Sequence, residues 1–235
     1  MRIAIMQPTY LPWMGYFNLV MHSDIFIFLD DVQFSRRSWQ QRNRILLNGS
    51  ETMLSIPISN KNKREQLIKD VTTDQTQNWA DSHFKTLTHA YLKAPYGKKL
   101  VGDLKYYYLS SDVNLCDFNI ALIEFISKIL GYKGVFLRSS EIHVSGAKSE
   151  KLLNLCGEVG ATTYLSAGGS KDYIERDGLF AKSGVEVQYQ RFECAHYPQH
   201  GVSTFVPNLA IVDFLANVDH GENLGVILSG WEVNK

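Results

Sequence analysis

Residues 30–45 read DDVQFSRRSWQQRNRI, in which two adjacent carboxylates precede a dense group of guanidinium groups. Each guanidinium presents a planar fork of donors that binds pairs of phosphate or carboxylate oxygens. Asp30 and Asp31 have the chemistry to bind a divalent cation or to accept a proton from an amine or hydroxyl. Neighbouring strand residues point to opposite faces, so only one is expected to face a site. The candidate binding residues here are Gln33, Arg36, Arg37, Arg42, Asn43 and Arg44, with solvated arginines on an edge strand as the alternative.

The stretch QPTYLPWMGYFNLV, which begins at Gln7, combines two prolines and a glycine with four aromatic residues. Prolines hold a loop in an extended shape, and Gly15 permits close approach of backbone or ligand. Aromatic rings suit a flat base or the apolar face of a sugar. The candidate binding residues of this stretch are Gln7, Thr9, Tyr10, Trp13 and Tyr16.

The stretch LSAGGSKDYI places Gly168, Gly169 and Ser170 between a predicted strand and a predicted helix. Glycines let backbone N–H groups approach an anion, so this turn is a candidate phosphate site. Its spacing matches neither a dinucleotide fingerprint nor a P-loop, and a plain turn with a serine cap explains it equally well.

The stretch FECAHYPQHG supplies His196, a candidate general acid or base, with Tyr197 and Gln199 as candidate substrate-binding neighbours. Cys194, His196 and His200 have zinc-ligand chemistry. They provide only three ligands, however, and Pro198 argues against a helix that would align the histidines. We therefore predict no metal site, and a loop histidine bonded to backbone remains the simplest interpretation of His196.

Hydrophobic periodicity predicts the elements that position these residues. Short apolar runs such as RIAIM and DIFIFLDD alternate with helical patterns, which is typical of an α/β protein with a Rossmann-like, mostly parallel sheet of the nucleotidylyltransferase type. Ligands of such sheets bind beyond the carboxyl ends of the strands, where residues 7–16, 30–44 and 166–172 are expected.

We predict a first half of the α/β domain at 1–75, with a β-hairpin at Asn48-Gly49. Three helical patterns form a helical insert at 76–133, and the α/β alternation returns at 134–235 for the second half.

Composition limits the classes of partner. The 235 residues are 45% hydrophobic and carry 24 basic and 24 acidic side chains. Because the net charge is zero, the protein has no overall positive electrostatic potential that would favour binding to DNA or to an anionic membrane. No apolar run is long enough to insert into a membrane. Three widely spaced cysteines indicate a reducing compartment, and we expect a cytoplasmic protein. The sequence does not determine the oligomeric state, and a homo-oligomer is among the states that it allows.

Four stretches together resemble successive motifs of the WbqC-like family, whose members occur in bacterial gene clusters for O-antigen and related surface polysaccharides. They are QPTYLPWMGYF, DIFIFLDDVQFSRRSWQQRNRI, GATTYLSAGGSKDYI and YPQHGVSTFVPNLAIVDFLAN. The resemblance runs nearly end to end. It implies a role in making or decorating an amino-sugar component of a surface glycan, such as a lipopolysaccharide.

The start of the chain is also similar to pantothenate synthetase, a nucleotidylyltransferase-like enzyme that joins a carboxylate to an amine. Pro8, Thr9 and the pair Gln33-Phe34 match that pattern. Trp13 and Tyr16 stand where that enzyme carries phosphate-binding histidines. Since indole and phenol groups cannot replace the imidazole donors, ATP-driven activation is disfavoured.

The leading hypothesis is a transferase that moves an activated acyl or aminoacyl group, held as a thioester or ester, to the amine of a nucleotide-linked amino sugar. In it the aromatic loop binds base or sugar, the arginines bind the diphosphate, Gln33 orients the acceptor, and Asp30 or Asp31 removes a proton. No cofactor beyond the acyl donor is assigned. The alternatives are an ATP- or CTP-dependent ligase or nucleotidylyltransferase, and a noncatalytic scaffold of a glycan assembly complex.

Overall fold

Five parallel strands form the central sheet of the computed structural model, which describes residues 1–59, 65–109, 113–219 and 224–228. The described residues form seven strands in chain order, of which β3 and β4 lie outside the central sheet. They are β1 (Arg2–Met6), β2 (Ile25–Phe28), β3 (Arg42–Leu47), β4 (Ser50–Ser55), β5 (Val135–Arg138), β6 (Thr163–Ser166) and β7 (Glu186–Tyr189). The helices are α1 (Met14–His22), α2 (Trp79–Tyr91), α3 (Gly97–Leu109), α4 (Leu115–Ile129), α5 (Lys148–Glu158), α6 (Lys171–Asp177), α7 (Ile211–Asn217) and α8 (Leu224–Leu228).

The order of strands in the sheet is β5-β2-β1-β6-β7, and every pairing is parallel. Strand β1 lies at the centre, with Ile3 opposite Ile25 of β2 and Ala4 opposite Leu165 of β6. The predicted Rossmann-like α/β fold is therefore confirmed.

Both faces of the sheet are covered, which explains why the strands read as continuous apolar runs. Successive residues of β1 enter opposite cores: Ala4 packs with α1, α4 and α7, whereas Ile3 and Ile5 pack with α5 and α6. Alternation of side chains along a strand thus feeds two hydrophobic clusters from one short sequence.

The three helices of residues 76–133 belong to the larger of these clusters. Leu87, Leu104 and Leu122, one from each of α2 to α4, are buried together with Ala4 and Phe214 of the α/β part. The helical insert therefore thickens one face of the sheet and shares its core.

Strands β3 and β4 form a separate antiparallel hairpin, as predicted. Asn48 and Gly49 at its turn have φ values of 50° and 76°. Two successive positive φ values define a type I′ turn, whose twist matches that of the flanking strands.

Two helical details differ from the prediction. The helical pattern SKDYIERDGLFAKSG of residues 170–184 predicts one helix, but α6 ends at Asp177 because Gly178 adopts a left-handed φ of 62°. Helix α8 was not predicted. None of the described helices is long and apolar enough to cross a membrane.

Candidate active site at the carboxyl end of the sheet

The sheet changes direction of winding beside β1. The chain proceeds from β1 to β2 and β5 on one side, and β6 and β7 lie on the other side. In open α/β sheets such a reversal leaves a crevice at the carboxyl ends of the strands, where ligands bind. The loop that starts at Gln7 leaves β1 at this point.

The first loop is held in a strained shape by the hairpin. Leu11 has a φ of 42°, a left-handed conformation that costs a non-glycine residue about 1–2 kcal/mol. The buried Asn43 side chain of β3 donates to the carbonyl oxygens of Tyr10 at 3.1 Å and of Leu11 at 2.7 Å. These two hydrogen bonds, with full burial of the Leu11 side chain, fix the loop over the end of β1.

A cavity of about 400 Å³ opens between this loop and the hairpin; we call it the aromatic pocket. Its lining consists of Met6, Thr9, Pro12, Trp13, Tyr16, Trp39, Asn43, Arg44 and Asn208. Five of the predicted binding residues, Thr9, Trp13, Tyr16, Asn43 and Arg44, meet here. Trp39, which lies among the arginines in the sequence, was not one of the predicted binding residues.

The two indole rings of the pocket are held differently. The Trp13 ring lies over Gly15, where a Cβ atom would come within 2.3 Å of it, and it meets the edge of Phe192 at a centroid distance of 5.6 Å. The Trp39 side chain is 51% exposed, and the Arg44 guanidinium lies 5.9 Å from the centre of its ring. Trp13 is thus a fixed wall and Trp39 an accessible one.

The arginines of the sequence cluster do not all reach this pocket. Arg44 lines it, donates to the carbonyl oxygen of Asn208 at 3.4 Å and pairs with Glu51 at 2.7 Å. Arg42 is half-buried, and its Nε is buried without a hydrogen-bond partner among the described residues. Arg36 and Arg37 are exposed in the turn before β3, outside the pocket lining.

Other predicted residues of the first two stretches have structural contacts. Gln7 accepts a hydrogen bond from Gln40 at 2.8 Å, and the Tyr16 hydroxyl donates to the Gln7 carbonyl at 3.2 Å. Gln33 is exposed and forms an isolated bridge with Leu67. Tyr10 is fully buried, with its hydroxyl 2.6 Å from that of Tyr108. Because Tyr10 exposes no surface, it supports the loop from within the core and cannot itself touch a ligand in this conformation.

Asp30 and Asp31 lie at the edge between β2 and β5, in a group that we call the carboxylate cluster with Ser139, Ser140 and Lys151. Asp30 is fully buried and accepts hydrogen bonds from the Ser140 N–H at 2.9 Å and its hydroxyl at 2.8 Å. Asp31 accepts from the Ser139 hydroxyl and from Lys151 Nζ, the latter at 2.6 Å. Of the two carboxylates, Asp31 alone retains exposed surface, 18% of its side chain.

Burial opposes the charge on Asp31, but hydrogen bonds from Lys151 and Ser139 outweigh it, so its pKa lies below the usual value. An ionised carboxylate of this kind holds a cation or a polar N–H group well and is a weak proton acceptor. The sequence rule that selected strand ends could have found Ser139 and Ser140, since they follow β5 directly. Lys151 carries no such signal because helix α5 brings it in from the side.

The glycine stretch after β6 forms a short turn. The Ser170 hydroxyl lies 2.7 Å from that of Ser166 and donates to the Ala167 carbonyl at 2.6 Å. A Cβ atom at Gly168 would come within 2.9 Å of the Gln190 carbonyl, while Gly169 meets nothing within 4 Å. These contacts account for Gly168 and Ser170 by packing, and phosphate binding here stays a prediction.

Residues 191–208, between β7 and α7, form a segment without helix or strand that we call the β7–α7 segment. The Tyr197 hydroxyl and Gln199 Nε2 both donate to Asp213 Oδ2 at 2.8 Å. Burial raises the pKa of Asp213, although these two hydrogen bonds oppose the shift. Tyr197 and Gln199 therefore anchor the segment to α7, a role that the sequence did not indicate.

His196 is exposed on this segment and stacks on Phe205 with ring centres 4.3 Å apart. Its role as an acid or base stays a prediction, since its described ring contact is with an apolar partner. In the part of the chain that the structure describes, no three His, Cys, Asp or Glu side chains converge as metal ligands.

Comparison with known proteins places the chain among relatives. The WbqC-like protein family matches residues 7–223, which include both carboxylates and all of the aromatic pocket's lining except Met6. Rv1507c, an uncharacterized protein of Mycobacterium tuberculosis, is 30% identical over 218 residues, covering 92% of this chain and 94% of that protein. No solved structure matches significantly. Since the family match spans nearly the whole sequence, the chain belongs to the WbqC-like protein family.

Proposed function

We propose that this protein binds a nucleotide-linked amino sugar in the aromatic pocket and transfers an activated acyl or aminoacyl group to the sugar's amine. The proposal places the reaction in the biosynthesis of a bacterial surface polysaccharide such as O-antigen. Membership of the WbqC-like family supports this role, because the family is associated with polysaccharide biosynthesis. The observation that carries the substrate class is the pairing of two indole rings with Arg44 at the carboxyl end of β1.

The pocket suits a flat, charged ligand. Its volume of about 400 Å³ lies within the range of small-molecule sites. Trp13 and Trp39 offer ring faces to a base or to the apolar face of a sugar, and the Arg44 guanidinium can pair with diphosphate oxygens. Trp13 and Tyr16 offer no imidazole for a transferring phosphoryl group, which favours a donor that is already activated.

The carboxylate cluster lies one strand away from the pocket. The Leu29 N–H of the β2 end donates to the carbonyl of Met6, which lines the pocket, at 2.9 Å. We assign to Asp31 the role of accepting a hydrogen bond from the sugar amine and stabilising the positive charge that develops on the amine nitrogen as the new C–N bond forms. Lys151 and Ser139 keep that carboxylate ionised and in place.

Calorimetry with a nucleoside-diphosphate amino sugar, the matching plain sugar nucleotide, ATP and CTP tests the substrate class. We expect the amino-sugar nucleotide to bind most tightly. Trp39→Ala should weaken its binding about tenfold or more, from the loss of one stacking surface of about 1–3 kcal/mol. Tyr106→Ala, which removes a 71% exposed aromatic ring on α3, is the matched control and should bind as wild type. Binding of triphosphates without binding of the amino-sugar nucleotide would overturn the proposal and favour a ligase.

Turnover tests the reaction separately. With a thioester or ester donor, Asp31→Asn should lower the rate of amide formation while the acceptor still binds. If Asp30→Asn and Asp31→Asn each leave turnover intact, the role of the carboxylate cluster in the reaction is wrong, whatever the pocket binds.

A further inference from the structure

A second cavity, of about 870 Å³, lies between the hairpin turn, helices α2 and α3, and the β7–α7 segment. Three lysines line it, Lys85 and Lys93 from α2 and its end, and Lys105 from α3. Among the described residues of the lining, Asp81 is the one carboxylate, and it pairs with Lys85 at 2.7 Å. Within the described ranges, Lys93 and Lys105 form no ion pair. The cavity is thus a local cationic site on a chain of zero net charge.

The same cavity has apolar walls. Phe84 lines it, and Leu92 and Leu109, also in the lining, are 47% and 70% exposed. Large exposed leucines beside the ammonium groups of Lys93 and Lys105 suit a ligand that has both an apolar portion and an anionic group. A small inorganic anion would leave the leucines and the phenyl ring without a partner.

The second cavity lies next to the aromatic pocket. Arg44 lines the pocket and Leu46 lines the cavity, and both side chains project from the same face of β3, about 7 Å apart along the strand. The β7–α7 segment also joins them, with Gly201 in the cavity lining and Asn208 in the pocket lining. The end of the cavity that Leu46 and Gly201 line is therefore the end nearer the proposed acceptor site.

We propose that this cavity binds the acyl donor, as a thioester of a phosphate-bearing carrier. The lysines bind the phosphate, and Phe84, Leu92 and Leu109 contact the apolar arm that leads toward β3. The sugar amine attacks the thioester carbonyl, the C–N bond forms as the C–S bond breaks, and the proton lost by the amine leaves with the thiol. The identification of the ligand as donor rests on the proposed function, whereas binding of the phosphorylated carrier does not.

Calorimetry with coenzyme A, a phosphorylated thiol carrier, tests the inference. We expect saturable binding that weakens with salt, and at least about a tenfold loss of affinity in Lys93→Met/Lys105→Met, since both substitutions remove charge-assisted hydrogen bonds to the phosphate. The matched control Lys98→Met/Lys128→Met removes two exposed lysines outside the cavity and should bind as wild type.

A second variant tests the volume and not the charge. Ala90→Phe places a ring in the cavity and should abolish coenzyme A binding, with circular dichroism reporting that the fold is intact. Absence of coenzyme A binding, or equal binding by the lysine variant, overturns the inference. Loss of coenzyme A binding alone leaves the proposed acceptor site standing, whereas failure of the amino-sugar nucleotide to bind overturns the proposed function.

Discussion

Trp13 and Gly15 depend on each other at the scale of single residues. The indole ring occupies the space that any side chain at position 15 would need, with ring atoms 2.3, 2.5 and 2.7 Å from an ideal Cβ. Gly15 therefore sets the position of a pocket wall. The sequence showed that this glycine permits close approach, but not that the approaching group is the neighbouring tryptophan.

Gly15→Ala is expected to displace the Trp13 ring, reduce the free energy of unfolding by about 1–3 kcal/mol and weaken acceptor binding. Urea unfolding, tryptophan fluorescence and calorimetry measure the three effects. Gly102→Ala on α3 is the control, since its Cβ meets nothing within 4 Å, and it should be neutral or stabilising by up to about 1 kcal/mol. Equal behaviour of the two variants would show that Gly15 does not set the position of the ring.

Asp31 and Asp213 are two carboxylates whose pKa values shift in opposite directions. The lowered pKa of Asp31 contributes stability above the unfolded value of 3.8, and this is lost as pH falls. The raised pKa of Asp213 has the reverse effect, since its contribution is full below 3.8 and is lost as pH rises through the folded-state value.

Asp31→Asn should therefore destabilise the protein by about 1–3 kcal/mol near neutral pH, where Lys151 loses its ionised partner, and progressively less in acid. For Asp213→Asn, the free energy of unfolding should increase relative to that of the wild type as pH rises. Urea unfolding across the acid to neutral range measures both slopes. Slopes of the same sign for the two variants would contradict the assignment.

At the scale of elements, the site depends on the contact between the first loop and the hairpin. Each was predictable alone, from the prolines of the loop and from the Asn48-Gly49 turn. Their contact was not, because it joins Asn43 to Tyr10 and Leu11 across some thirty residues of chain, and no local periodicity encodes such a pairing. The carboxylate cluster was only partly predictable for the same reason: Asp30 and Asp31 follow the end of β2, whereas Lys151 comes from α5, which is distant in the chain.

Asn43→Ala should cost about 2–4 kcal/mol, because two carbonyl oxygens lose their donor while Leu11 keeps its left-handed backbone. Acceptor affinity should fall with it, as the loop loses its support. Asn154→Ala removes a comparable bond, to the Ser145 carbonyl at 3.0 Å, on the exposed side of α5 and should change neither stability nor binding appreciably. If Asn43→Ala binds the acceptor as tightly as the wild type, the shape of the first loop does not determine acceptor affinity.

At the scale of the whole molecule, the helices of 76–133 and the sheet share one hydrophobic cluster. Strand and helix positions along the chain were largely predictable from periodicity. The spatial order β5-β2-β1-β6-β7 was not, since it depends on which crossover packs on which face. The two cavities could not be predicted from the sequence either, because each is lined by residues from the hairpin, from the β7–α7 segment and from other elements distant in the chain.

Leu122→Ala, at a fully buried position of α4, should lower the stability of the whole protein by about 2–5 kcal/mol. Because the core is shared, far-UV circular dichroism and tryptophan fluorescence should report the same midpoint in one cooperative transition. Leu179→Ala, at a residue 38% exposed, is the control and should shift that midpoint little. Two separated transitions would indicate that the helical region unfolds on its own.

The β7–α7 segment carries a cysteine whose rate of chemical modification should report how often the segment opens. Burial raises the pKa of all three thiols, to about 12 for Cys116 and Cys156 deep in the two clusters, and Cys194 on this segment is only half-buried. The segment is tied to the core by side-chain bonds to Asp213 and Asn217 and lacks strand pairing, so it can detach at less free energy than global unfolding. Modification by a thiol reagent should therefore occur first at Cys194, at a rate set by local opening. Ligands that bridge the aromatic pocket and the second cavity should slow that reaction, while the other two thiols react only as the whole chain unfolds.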